Sequence, residues 1–208
     1  MLMLMVGTFF FQISINYMAE NISDFENVAL PPKKTSHYQT ENPIIVIDAT
    51  SKKTWTLVDF ETGKTHQIHD PDKEQDLIKE LNWDLGFQRT KVISNGGATN
   101  PNGSAGVMDL GPVEFNGVLS ADQEGYIQDQ RRWGKIINPA ISNWYNYRTR
   151  THNIESKKNT YLLRTSGNKY AKIKILNYYC TRPEKDCANI MCGRDEAACI
   201  TVEYVLKP

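Results

Sequence analysis

Residues 170–179, YAKIKILNYY, put Ala171, Ile173 and Ile175 at every second position with Lys172 and Lys174 between them. An extended strand sends successive side chains to opposite faces, so this period predicts a strand with one apolar face and lysines facing out. TYLLRT at 160–165 has the same character, and Ser166-Gly167-Asn168-Lys169 between the two is a turn sequence. CITVEYVL at 199–206 supplies a further strand. Near the other end, IIVI at 44–47 is a compact apolar run that stops at Asp48-Ala49-Thr50-Ser51. Residues 54–60 alternate, with Trp55, Leu57 or Val58, and Phe60 as core candidates; a turn at 61–64 lets 65–69 return as a hairpin partner. Residues 70–81 are charged, with Leu77, Ile78 and Leu81 at helical spacing, and read as a short helix or a solvated loop. Strands joined by short turns, with little helix and some long loops, predict an all-β, mostly antiparallel domain.

The middle of the chain is organised around NWDLGFQRTKVISNGG, residues 82–97. Its β-branched and aromatic residues read as one strand ended by Asn95-Gly96-Gly97. Leu85, Gly86 and Phe87 break the alternation, as expected of a central strand or of a bulge at Gly86. Residues 96–111 hold five glycines but neither phosphate-loop pattern, so they read as a long mobile loop or a binding loop. Val113, Phe115 and Val118 make 109–120 strand-like. Residues 125–148 read as irregular and aromatic.

Lys and Arg balance Asp and Glu at 24 each, which excludes the basic footprint of a nucleic-acid binder. Residues 1–20 are apolar and lack Lys and Arg, which suggests an export signal or an uncleaved anchor. Residues 21–42, with Pro31-Pro32-Lys33-Lys34, read as a linker, which leaves 43–208 as the folded domain. The four cysteines lie at 180, 187, 192 and 199, spaced symmetrically. A hairpin would nest Cys180–Cys199 around Cys187–Cys192, one of three connectivities; zinc is the alternative, without a C-x-x-C knuckle to support it. Two disulfides favour an oxidising compartment. No nucleophile elbow or paired-carboxylate signature stands out, so the chain reads as non-enzymatic.

IDATS-x-x-x-W at 47–55, NWDLGFQR at 82–89, NGG at 95–97 and YLLRT-x-GNKYAKIKILNYY at 161–179 occur in an order that resembles the HmuY family, over roughly 44–204. That resemblance implies a mostly antiparallel β domain, exported and often lipid-anchored at the outer membrane. It also implies reversible haem binding in haem or iron acquisition, with an outer-membrane haem receptor as partner. The family holds haem through two axial side chains, paired histidines or, in some relatives, methionines. The alternative is a surface module of the same fold that recognises a protein or a glycan.

Haem iron takes imidazole nitrogen or thioether sulfur inside an apolar slot. His152, after the aromatic segment and ahead of a strand, is the first axial candidate, and Met108, in the glycine-rich loop, is the second. Trp144, Tyr145 and Tyr147 are candidate walls of the slot. His66 and His69 are read as sharing one strand face, where they could hold a metal together.

Overall fold

The computed structural model describes residues 40–121, 124–180 and 189–206. Thirteen strands are formed among them. A five-stranded antiparallel sheet runs in the order β1 (Ile44–Asp48), β13 (Cys199–Leu206), β12 (Tyr170–Asn177), β11 (Thr160–Arg164), β6 (Gly106–Asp109). A four-stranded sheet runs β3 (Thr65–Ile68), β2 (Trp55–Val58), β4 (Leu85–Gln88), β5 (Lys91–Ser94). Two hairpins, β7 (Gln130–Arg132) with β8 (Lys135–Ile137) and β9 (Tyr145–Arg148) with β10 (Asn153–Ser156), and one short helix, α1 (Gln75–Glu80), complete the framework.

The larger core lies between the two sheets. Ile47, Val107, Leu163, Ile173 and Val202 from the first meet Val58, Leu85, Phe87 and Val92 from the second. The opposite face of the four-stranded sheet is also buried, under Ile78 of α1 and Trp83, against Trp55, Leu57 and Ile93. Burial on both faces explains why 85–87 fail to alternate: β4 is central, paired to β2 and β5. Gly86 is no bulge but sits in register opposite Ile93 and Leu57. A Cβ there would come within 2.9 Å of both side chains.

Three readings of the middle of the chain change. Residues 82–97 form a hairpin rather than one strand, because the chain reverses at Arg89, which adopts φ 55°. That turn is fixed by the Arg89 guanidinium, which donates to the carbonyls of Thr50 (2.9 Å) and Ala197 (3.3 Å). The glycine-rich stretch is neither long nor open: Ala105 N–H bonds Asn95 O, and a Cβ on Gly103 would lie 2.1 Å from that same carbonyl oxygen. Its second part is β6. Residues 110–120 form no strand; they cross the outer face of the five-stranded sheet and bury Phe115.

That crossing also overturns the exposure of Lys172, which is buried. Its Nζ donates to the carbonyls of Phe115 (2.9 Å) and Val118 (3.0 Å) and lies 4.8 Å from the Phe115 ring centroid. The segment 125–148, read as irregular, contains β7, β8 and β9. His66 lies in β3 and His69 just beyond it, three residues on, so an alternating strand points them to opposite faces. Among the described residues there is no cluster of three or more His, Cys, Asp or Glu able to hold a metal ion. Cys180 and Cys199 are bridged, as the nested arrangement requires. Cys192 is disulfide-bonded as well, while Cys187 lies outside the described residues.

Candidate functional site

A cleft of about 510 Å³ opens beside the four-stranded sheet. Trp55 of β2, Val92 of β5, and Ile136 and Ile137 of β8 give it apolar walls, and Tyr145 at the start of β9 closes one side. Lys91 and Lys135 bring two ammonium groups to it. Pro71 and Asp72, just before α1, form the remaining edge.

The walls come from separate pieces of chain, held by two devices. Trp144 is buried behind the cleft, where its indole N–H donates to the Thr90 carbonyl at 2.9 Å; Thr90 itself lines the cleft. The Trp144 ring meets Tyr145 edge-on, centroids 5.3 Å apart, which sets the Tyr145 side chain against the core. On the far side, Arg131 of β7 grips Asp72 through Nη2 at 2.6 Å and Nη1 at 3.3 Å. The fork ties the β7–β8 hairpin to the Pro71-Asp72 edge and holds the Arg131 pKa above its usual value. Between β7 and β8, Trp133 and Gly134 both take positive φ, 48° and 78°, as a two-residue hairpin turn of mirror-image type demands. Trp133 at this tip is 88% exposed.

Of the expected site residues, the structure brings Tyr145 to the cleft and keeps Trp144 as its strut. Tyr147, two positions along β9, packs half-buried on the core and is hydrogen-bonded through its hydroxyl to His152 Nδ1 at 2.5 Å. Burial raises the Tyr147 pKa. His152 is exposed in the β9–β10 turn at φ 56° and edges a separate hollow of about 20 Å³, room for little more than a water. Met108 lies in β6 opposite Leu162, with its methyl group against Gly125, and lines neither space. His152 and Met108 are therefore not assembled around one cavity. Lys91, Lys135, Ile136 and Asp72 were missed. The one local signal was R-R-W-G-K-I-I at 131–137, where X-Gly between short segments marks the tight hairpin that carries Lys135 and Ile136; Lys91 and Asp72 had none.

The cleft suits a flat, largely apolar ligand that carries anionic groups. Its volume is in the range of small-molecule and cofactor sites. For iron, the lining offers one side chain of a type that ligates haem, the phenol of Tyr145.

Comparison with known proteins gives the same fold. The family model described as HmuY protein matches residues 51–191, more than half of the chain. The Tannerella forsythia HmuY analog, solved in its apo form, superposes with a TM-score of 0.58 at 17% identity, covering 82% of this chain and 98% of that one. A Bacteroides vulgatus protein named as HmuY-like and haem-binding gives 0.55 at 20% identity, covering 80% and 92%. A Bacteroides fragilis protein named as a lipoprotein gives 0.51 at 19%, covering 81% and 91%. No curated protein matches the sequence. Among the described residues no helix is long and apolar enough to cross a membrane.

Proposed function

The chain belongs to the HmuY family, and from that premise we propose that it is an exported, non-catalytic haem-binding protein serving haem and iron acquisition. The observation that carries the reading is the cleft. It joins a volume of about 510 Å³ to walls of Trp55, Val92, Ile136 and Tyr145, and its lining includes Lys91 and Lys135, whose charges would complement the two carboxylates of the ring. Burial of the macrocycle supplies the affinity, at roughly 25 cal/mol for each Å² of apolar surface removed from water. The bound group would supply a redox-active iron, and Tyr145 is the side chain nearest in kind to an axial ligand. Export is supported by the Cys180–Cys199 bridge, which persists in oxidising compartments, and by the relative named as a lipoprotein. An outer-membrane receptor that accepts the haem is the corresponding partner.

Haemin titrated into the full chain is expected to give a saturable shift of its Soret band. Ile136→Glu, which sets a carboxylate into the apolar wall, is expected to weaken binding by about tenfold or more. His152→Ala and Met108→Ala, both outside the cleft, are expected to leave affinity unchanged. Absence of any saturable shift ends the haem reading. The exposed Trp133 then favours the second one, a surface module that recognises a protein or glycan through the β7–β8 tip.

A further inference from the structure

The residues lining the cleft divide into apolar walls, two ammonium groups and a paired carboxylate. The lining holds no imidazole, thioether or thiol. The two axial candidates lie elsewhere: His152 is hydrogen-bonded to Tyr147, beside a hollow far too small for a ring, and the Met108 methyl group lies near Gly125. The remaining donor, Tyr145, is a phenol, which binds iron well only once it has lost a proton whose ordinary pKa is about 10. The single carboxylate in the lining, Asp72, is held by the Arg131 fork and is not placed to act as its base.

What the cleft does present is specific for the organic part of the ligand. Lys91 and Lys135 carry the cationic charge of the lining, and the Asp72 charge beside them is balanced by Arg131. Two carboxylates on one edge of an apolar ring match that arrangement, through charge complementarity that survives any change at the ring centre. On the premise that the cleft is a tetrapyrrole site, we propose that it recognises the dicarboxylic macrocycle itself and not its metal, so that metal-free porphyrin is as good a ligand as haem.

The test is a pair of titrations of the full chain, with haemin and with metal-free protoporphyrin, both followed by quenching of tryptophan fluorescence, since Trp55 lines the cleft. The two dissociation constants are expected to agree within about threefold. The double variant Lys91→Glu/Lys135→Glu, at two exposed positions, is expected to weaken both by about tenfold or more, as is esterification of the two porphyrin carboxylates. Haemin binding without porphyrin binding, or a loss with Tyr145→Phe confined to haemin, overturns the inference and leaves the haem reading intact. Binding that the lysine reversals and the esters do not weaken also overturns it. Failure of both ligands to bind removes the haem reading as well, and so distinguishes the two claims.

Discussion

Lys172 shows how a residue legible in pattern is misread in place. Alternation along β12 assigned it correctly to the face opposite Ala171 and Ile173, but that face is roofed by 110–120, a segment whose strand-like pattern did not show where it would pack. The carbonyls of Phe115, buried, and Val118, part-buried, depend on the Lys172 ammonium, and charge-assisted bonds of this kind contribute about 1.5–3 kcal/mol. Lys172→Ala is therefore expected to lower unfolding stability by about 3 kcal/mol in urea titration, and Lys174→Ala, which is less buried, by much less. Asp129 carries a second expectation. Its carboxylate accepts from Ser94 N–H (2.9 Å), Ser94 Oγ (2.7 Å), Asn138 Nδ2 (3.0 Å) and the Thr99 hydroxyl, yet burial dominates and raises its pKa above 3.8. The folded protein thus holds this proton to higher pH than the unfolded chain does. Stability linked to Asp129 is present below the unfolded pKa and is lost as pH rises through the folded one. Urea midpoints measured across that window should fall with pH in the natural protein and less steeply in Asp129→Asn.

At the level of elements, what could be read was what period and turn chemistry determine. The strands around Ser166-Gly167-Asn168-Lys169, the apolar run of β1, the β2–β3 hairpin and the short helix α1 all stand where the pattern put them. Arg89 hid the β4–β5 turn, because a buried arginine at φ 55° occupies a position that glycine or asparagine normally marks. Trp133 hid the β7–β8 turn in the same way. The motifs that carry the family resemblance prove to be joints of the fold: Trp83 donates to Ile78 O, Asp84 accepts from the N–H groups of Phe60 and Ser166, and Asn95 donates to Trp83 O. Trp55 alone belongs to both a motif and the cleft. The other cleft residues come from short strands and loops, and the hairpin signal at 131–137 marks a turn without showing that it meets β2, β5 and β9. The Cys180–Cys199 bridge joins the end of β12 to the start of β13 across a sequence separation of 19. Removing that bridge in Cys180→Ser/Cys199→Ser is expected to cost about 3 kcal/mol in urea unfolding, mainly through the freed unfolded chain.

Across the whole molecule, the two sheets hold one core between them and the cleft lies where the smaller sheet, β8 and β9 meet. The β7–β8 hairpin reaches that junction partly through the Arg131–Asp72 fork, whose two side chains are half exposed to solvent. Asp72→Asn is expected to speed amide hydrogen exchange in β7 and β8 while leaving β11–β13 protected, as local opening without global unfolding requires. Equal exchange in the variant and the natural protein would show that packing alone holds the hairpin. The order β1-β13-β12 has a further consequence. Among the described residues β1 pairs with β13 and with no other strand, so the earliest described strand waits for the latest. A chain delivered N-terminus first, from a ribosome or through a membrane channel, stays open along that edge until residues 199–206 have emerged, and threading and folding are thereby kept apart in time.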